Sequence, residues 1–223
     1  VPVQHEADPR PETTDFGVLT TASKAGDPLA AFLVQHGISK RVIVLSVNSA
    51  YVPMLENLLC SIRALWGQDN PKATALQTPS GVKVMVAAQD ADVCAKVNPF
   101  NLPCFLDKSM APVQPGQAAK YGSQGFMTTT HNKLKAIANV LRLGLDVVLV
   151  DSDIVLVRDP FENFSPHCDV QFQQNSPGVE MRWTSKDQVN TGLYHAKANP
   201  RTLRYFERVA YERASKFDDQ EDV

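Results

Sequence analysis

Apolar residues in this chain fall into runs and stripes of two kinds, and their alternation predicts the architecture. Arg41-Val-Ile-Val-Leu-Ser46 is a continuous buried-strand run, and residues 52–65 follow with Leu55, Leu58, Leu59 and Ile62 at the spacing of one helix face. Val82-Lys-Val-Met-Val-Ala87 is a second strand ending at Gln89-Asp90, and a shorter helix from Ala91 leads into a stretch broken by Pro99 and Pro103. Residues 131–143 carry Leu134, Ile137, Ala138 and Leu141 on one face, with Gly144 where a helix cap belongs. Asp146-Val-Val-Leu-Val150 is then a strand that delivers Asp151 at its C-terminal end, and residues 154–157 read as a second short strand stopping before Pro160. Further strands are expected at 170–173 and 193–196. Asn199-Pro200 is an N-cap and first-turn pair for a helix through about Ala214, with Leu203, Phe206 and Ala210 on its buried face.

Strand–helix alternation of this kind predicts a three-layer α/β domain with a mainly parallel sheet and an antiparallel strand or two late in the chain. The first 30 residues, rich in Pro, Thr, Ser and charge, show no period and read as a processed or trimmed arm downstream of a targeting segment. The division expected is a partly irregular arm over residues 1–38 and one domain over 39–223.

Composition narrows the function by exclusion. The 223 residues carry a formal net charge of −2, which leaves no electrostatic footprint for nucleic acid. The apolar runs fall short of the roughly 20 residues that span a bilayer, so no membrane span is expected within this chain. Four cysteines lack C-x-x-C spacing; Cys94 and Cys104 bracket a Pro/Asn loop and are the favoured disulfide, with free thiols as the alternative. His131, His167 and His195 lack zinc-ligand spacing. Asn163-Phe164-Ser165 is a glycosylation sequon weakened by Pro166.

Asp151-Ser152-Asp153 carries the chemistry. Two carboxylates one residue apart at the end of a buried strand offer hard oxygen ligands to a divalent cation, and a lone buried carboxylate costs several kcal/mol unless paired or coordinating. The bare triplet also fits a solvated turn between two strands. Its surroundings add weight: the segment from His131-Asn-Lys133 through Leu141-Arg-Leu-Gly144 and Asp151-Ser-Asp153 to Arg158-Asp-Pro160, then Asn190-Thr191-Gly192-Leu-Tyr, then Asp218-Asp219-Gln220. In this order the motifs resemble the nucleotide-diphospho-sugar transferases of plants, algae and slime moulds, a family that includes rhamnogalacturonan xylosyltransferases, extensin arabinosyltransferases and an α-galactosyltransferase. The resemblance runs from about Arg41 to the last residue.

That resemblance implies a GT-A α/β fold and a retaining transfer of sugar from a UDP-sugar to a glycan or glycoprotein hydroxyl. It implies Mn²⁺ or Mg²⁺ on Asp151 and Asp153, with Asp151 and Ser152 also close to the nucleotide. Lys133 would face the phosphates, the alternative being a solvated helix lysine. Ser46, Val47 and Asn48 would hold uracil and ribose and Tyr51 would stack on the base, although Asn48 also suits a turn. Asp90 would bind the nucleoside or else cap a helix. Asn190, Thr191 and Gly192 would line the sugar or acceptor side, with a plain turn entering a strand as the alternative. Asp219 and Gln220 would face the anomeric centre. Family members continue past this motif, so a C-terminal truncation is expected, and the full-length form would be a type II membrane protein of the Golgi lumen or secretory pathway. Neither carboxylate substitution, Asp151→Ala or Asp153→Ala, is expected to cost stability. Two alternatives remain at this point: a non-catalytic nucleotide-sugar-binding domain, and a haloacid-dehalogenase-type phosphatase, whose first motif Asp151-Ser-Asp153-Ile-Val155 also fits.

Overall fold

The structure is a computed structural model that describes residues 16–66, 76–78, 81–174 and 189–212. Among these described residues six strands form one sheet: β1 (Arg41–Val47), β2 (Lys83–Ala88), β3 (Cys104–Leu106), β4 (Asp146–Val150), β5 (Val170–Gln174) and β6 (Val189–Ala196), in the order β3-β2-β1-β4-β6-β5. Strands β1 to β4 run parallel, whereas β6 runs antiparallel to both its neighbours. The mainly parallel sheet with late antiparallel pairing matches the expectation from the sequence.

Both faces of the sheet are covered, which is why its central strands are apolar throughout instead of alternating. On one face, Val42, Val44, Val147, Leu149 and Tyr194 pack with Leu134, Ile137 and Leu141 of α5 (Gln124–Arg142) and Phe206 of α6 (Pro200–Glu207). On the other, Ile43, Leu45, Val84, Val148 and Val150 pack with Leu55, Leu58, Leu59 and Ile62 of α3 (Val52–Trp66) and Val93 and Val97 of α4 (Ala91–Val97). Gly144 ends α5 with a φ of 82°, as its capping position requires. Cys94 and Cys104 are disulfide-bonded with 10 residues of separation, tying α4 to β3. Closing a loop of that length stabilises by roughly 3 kcal/mol in the chain-entropy account.

Three features differ from the sequence reading. The segment assigned to an arm holds α1 (Phe16–Lys24) and α2 (Pro28–Gln35), whose Leu19, Leu29, Ala30 and Leu33 belong to the core on the α5 face. Asp27 caps α2 by accepting from the Ala30 amide at 2.8 Å. Residues 154–157 form no strand: Leu156 turns inward with its amide on Ser61 Oγ at 3.3 Å, while Val155 and Val157 face solvent, and β4 has both its edges taken by β1 and β6. The last helix leaves α geometry after Glu207 and continues as one π-turn over Arg208–Glu212. Among the described residues, no helix is long and apolar enough to cross a membrane.

Candidate functional site

Chain order places a crevice before any side chain does. From β1 the sheet grows outward through β2 and β3, then reverses so that β4 lies on the opposite side of β1. At such a switch point the loops leaving the two strands part, and ligands of open α/β sheets bind at their C-terminal ends. Val44 pairs with Leu149. Ser46 and Asp151 each lie two residues beyond this last pair, where the two strands end.

Asp151 shares the sheet face of Leu149, beneath α5, which runs antiparallel to β4 and brings Lys133 over its end. Lys133 lies on the stripe that includes Ile137 and is 7 % exposed, so the solvated-lysine alternative does not describe it. Its Nζ sits 3.4 and 3.5 Å from the two Asp151 oxygens and 3.5 Å from Thr191 Oγ1. The Asp151 amide donates to Gly192 O at 2.7 Å, carrying the β4–β6 ladder one residue beyond β4. Asn190 Oδ1 accepts from the Gly192 amide at 2.7 Å. Thr191 and Gly192 are buried and Asn190 half-buried, so this tripeptide lies against Lys133 and Asp151. A Cβ at Gly192 would stand 2.9 Å from Asn190 Oδ1 and 3.4 Å from Asp151 Oδ2, so any larger residue would have to displace the Asn190 side chain. Ser152 is half-buried and Asp153 exposed on the turn that follows.

The β1 and β2 ends are built differently. Asn48 is completely buried and its Oδ1 accepts from the Ala50 amide at 3.1 Å, so it starts the turn into α3, as its alternative reading had it. Asp90 is also buried: Oδ1 caps α4 through the Asp92 amide at 3.0 Å, and Oδ2 accepts from the Ser49 amide at 2.6 Å. Its capping reading holds, and the same carboxylate braces the β1 loop. Ser46 and Tyr51 are half-buried and Val47 is core. Ser46 Oγ accepts from Gln89 Nε2 at 3.0 Å, and the same amide donates to Thr129 O at 3.2 Å, linking β1, β2 and α5 around the crevice. Gln89 was not singled out in the sequence; a buried amide at a strand end has no motif, and its position before Asp90 was the available signal. Beside it, Ser49, Val52, Glu56, Lys96 and Gly116 line an open groove of about 440 Å³, with Lys96 Nζ on Ser49 O at 3.2 Å. Asp219 and Gln220 lie outside the described residues.

Among the described residues, no cluster of three or more His, Cys, Asp or Glu side chains could hold a metal. Two carboxylates suffice where a diphosphate supplies the remaining oxygens, which is how Mg²⁺ is commonly bound. Asp153 is open to a cation from solvent, and Asp151 is shared with Lys133. The donor set therefore fits a hard divalent ion that arrives with a phosphate ligand.

Comparison with known proteins places the chain in a family. UDP-D-xylose:L-fucose alpha-1,3-D-xylosyltransferase 3 of Arabidopsis thaliana is 31% identical over 142 residues, 64% of this chain and 33% of that protein. Beta-arabinofuranosyltransferase RAY1 of Arabidopsis thaliana is 25% identical over 173 residues, 76% of this chain and 29% of its own length. UDP-galactose:fucoside alpha-3-galactosyltransferase of Dictyostelium discoideum is 29% identical over 92 residues, 40% of this chain and 14% of its own. The chain spans between a third and a half of the length of the first curated relatives it matches. The D-x-D strand is fourth in the chain, where the phosphatase alternative requires it to be first. Residues 82–223 match the model of the nucleotide-diphospho-sugar transferases, and the chain belongs to that family.

Proposed function

We propose that this chain binds a UDP-sugar and, in a metal-dependent retaining reaction, transfers the sugar (arabinose, xylose or galactose class) to a hydroxyl of a glycan or glycoprotein. The observation that supports this reading best is the buried Lys133 ammonium set against Asp151 at the switch point, with Asp153 exposed one turn beyond. A buried cation beside one carboxylate, with a second carboxylate open to solvent two residues on, suits a ligand that brings both negative charge and a counter-ion.

Each residue then has a task. Lys133 shares its charge between Asp151 and the arriving diphosphate; its 3.4 Å separation is long for a charge-assisted contact, which leaves room for a second anionic partner. Ser46, held by Gln89, and Tyr51 border the nucleoside side of the crevice, with Val47, Asn48 and Asp90 shaping the wall behind them. Ser152 approaches the ribose or phosphate. Asp153 and Asp151 would hold Mn²⁺ or Mg²⁺, which supplies neutralisation of the departing diphosphate. In the transfer, the acceptor oxygen bonds to the anomeric carbon as the carbon–oxygen bond to the β-phosphate breaks, both on one face of the sugar. The acceptor proton passes to the leaving phosphate oxygen. The protein positions the reactants and stabilises charge. Asp219 and Gln220 remain the groups assigned to the anomeric centre and sugar hydroxyls. The Cys94–Cys104 disulfide supports a place in the secretory pathway, including the Golgi lumen, because such bonds persist in oxidising compartments.

Calorimetry with UDP, with and without Mn²⁺, tests the proposal. Binding is expected with metal and much weaker binding after chelation. Equal affinity in the two conditions would remove the metal, and no UDP binding in either would overturn the function. Donor hydrolysis by the pure chain separates a working site from a binding module.

A further inference from the structure

Asn190, Thr191 and Gly192 sit where a sugar-lining motif was expected, yet their contacts point inward. In β6 the pairing with β5 jumps: Phe172 pairs with Tyr194, but the next residue, Gln173, pairs with Asn190, so residues 191–193 are bulged out of that ladder. On the other side Leu193 keeps its pairing with Val150 of β4, and Gly192 O takes the Asp151 amide at 2.7 Å. A bulge beside a site usually serves to re-aim a backbone segment. Here the re-aimed segment is the acceptor that holds Asp151.

A bulge of three residues needs something to fix its shape, and Asn190 Oδ1 accepts the Gly192 amide at 2.7 Å across it. The space inside is full, since a Cβ on Gly192 would come 2.9 Å from that same oxygen and 3.4 Å from both Asp151 Oδ2 and Ile154 Cδ1. Thr191, between them, is buried with its hydroxyl 3.5 Å from Lys133 Nζ. We propose that Asn190 is a positioning residue: its side-chain carbonyl fixes the β6 bulge, the bulge holds the Asp151 backbone through Gly192, and the Asp151 carboxylate is thereby kept in place for the ion and for Lys133. This role rests on the function proposed above for Asp151 and replaces a direct sugar contact by Asn190.

Asn190→Ala removes the acceptor, and Asn190→Ser restores a shorter one without adding charge. Two readouts are made on the 223-residue chain. Amide hydrogen exchange followed by NMR should show the Gly192 and Asp151 amides losing protection together in Asn190→Ala, with Val148 and Leu149 unchanged, and both recovering in Asn190→Ser. Calorimetry with Mn²⁺ should show UDP affinity falling roughly tenfold in Asn190→Ala and returning to within about twofold in Asn190→Ser, the scale of one hydrogen bond. An Asp151 amide still protected in Asn190→Ala overturns the proposal. So does a variant that binds UDP normally and loses affinity for UDP-sugar alone, since that is the mark of a sugar contact. If the unaltered chain fails to bind UDP, the function reading falls, and the exchange experiment still decides the clamp by itself.

Discussion

Removing the two carboxylates of the D-x-D motif one at a time should have unequal effects on stability and equal effects on ligand. Asp153 is exposed, with no packing for its substitution to disturb, so Asp153→Ala should leave unfolding within about 0.5 kcal/mol of the parent. Asp151 differs because Lys133 is buried against it. At 3.4 Å and an effective dielectric near 20 the attraction is roughly 5 kcal/mol before desolvation. The Lys133 side chain is 9 % exposed and that of Asp151 31 %, so water screens the pair from the Asp151 side and the net figure must be well below that. Breaking a fully buried pair costs about 3–5 kcal/mol and a surface pair at most about 1, which puts Asp151→Ala near 2 kcal/mol. For a chain of this size that is a fall of roughly 4–8 °C in Tm. The expectation drawn from sequence, that both substitutions are neutral or stabilising, therefore changes for Asp151 alone. Thermal unfolding of both variants, paired with calorimetry of UDP and Mn²⁺, reads out the difference; both should lose metal-dependent binding. Adding Lys133→Met to Asp151→Ala should return most of the lost stability, because the cost lies in the uncompensated ammonium. Equal Tm values for the two single variants would refute the reasoning.

Two further outcomes concern His195 and Asp219. Burial pushes the His195 pKa down to about 4, with Lys197 and Arg41 adding to the shift, so the unfolded chain takes up that proton first. Its contribution is complete above the ordinary value of 6.5 and is lost as pH falls towards 4, up to about 3 kcal/mol at roughly 1.4 kcal/mol per unit. Asp146, whose carboxyl is raised by burial against the lowering effects of the Ala198 amide, Arg41 and Lys197, has the opposite sign and offsets part of that acid limb. His195→Phe, stacking on Phe164 as the imidazole does at 4.9 Å, should flatten the fall of Tm between pH 6.5 and 4; an unchanged slope would assign it to other groups. If Asp219 has the role proposed for it, Asp219→Asn should spare UDP affinity while lowering turnover of UDP-sugar, and normal turnover would reduce Asp219 to a charged tail.

What could be read from the sequence follows from how strongly each element is buried. The strands β1, β2 and β4 and the helices α3 and α5 are covered on their core sides by other layers, so their apolar patterns are long and unambiguous. α1 and α2 are 9 and 8 residues long and bury few side chains each, too little for a period to stand out in a polar stretch. A signal was present all the same: Asp27-Pro28 opens α2 as Asn199-Pro200 opens α6. The reverse error occurred at residues 154–157, where four apolar residues suggested a strand but Leu156 alone is core, and an isolated run cannot reveal that the strand before it, β4, has both its edges taken. At the site, D-x-D was visible because charge interrupts an apolar run. The turn and capping tasks of Asn48 and Asp90 were legible only as alternatives, since a polar residue after a strand serves equally to cap the next helix or to meet a ligand, and the capping hydrogen bonds become visible only in the fold.

The antiparallel strand late in the chain explains why the two carboxylates differ. A parallel neighbour of β4 would have brought its own C-terminal end to the crevice, with a second loop departing there. Strand β6 brings its N-terminal half instead, and that half stays in register long enough for Gly192 to bond the Asp151 amide after β4 has ended. The first carboxylate of D-x-D is thus still part of the ladder, paired below with a buried ammonium. The second lies beyond the last ladder bond, on an exposed turn. Under the function proposed above, the carboxylate held on the ladder would fix where the ion sits, and its exposed companion would approach that ion without unfolding any strand. Placing the second carboxylate on the ladder as well would add a buried negative charge beside Asp151, whose desolvation the contact with Lys133 already has to offset for one carboxylate.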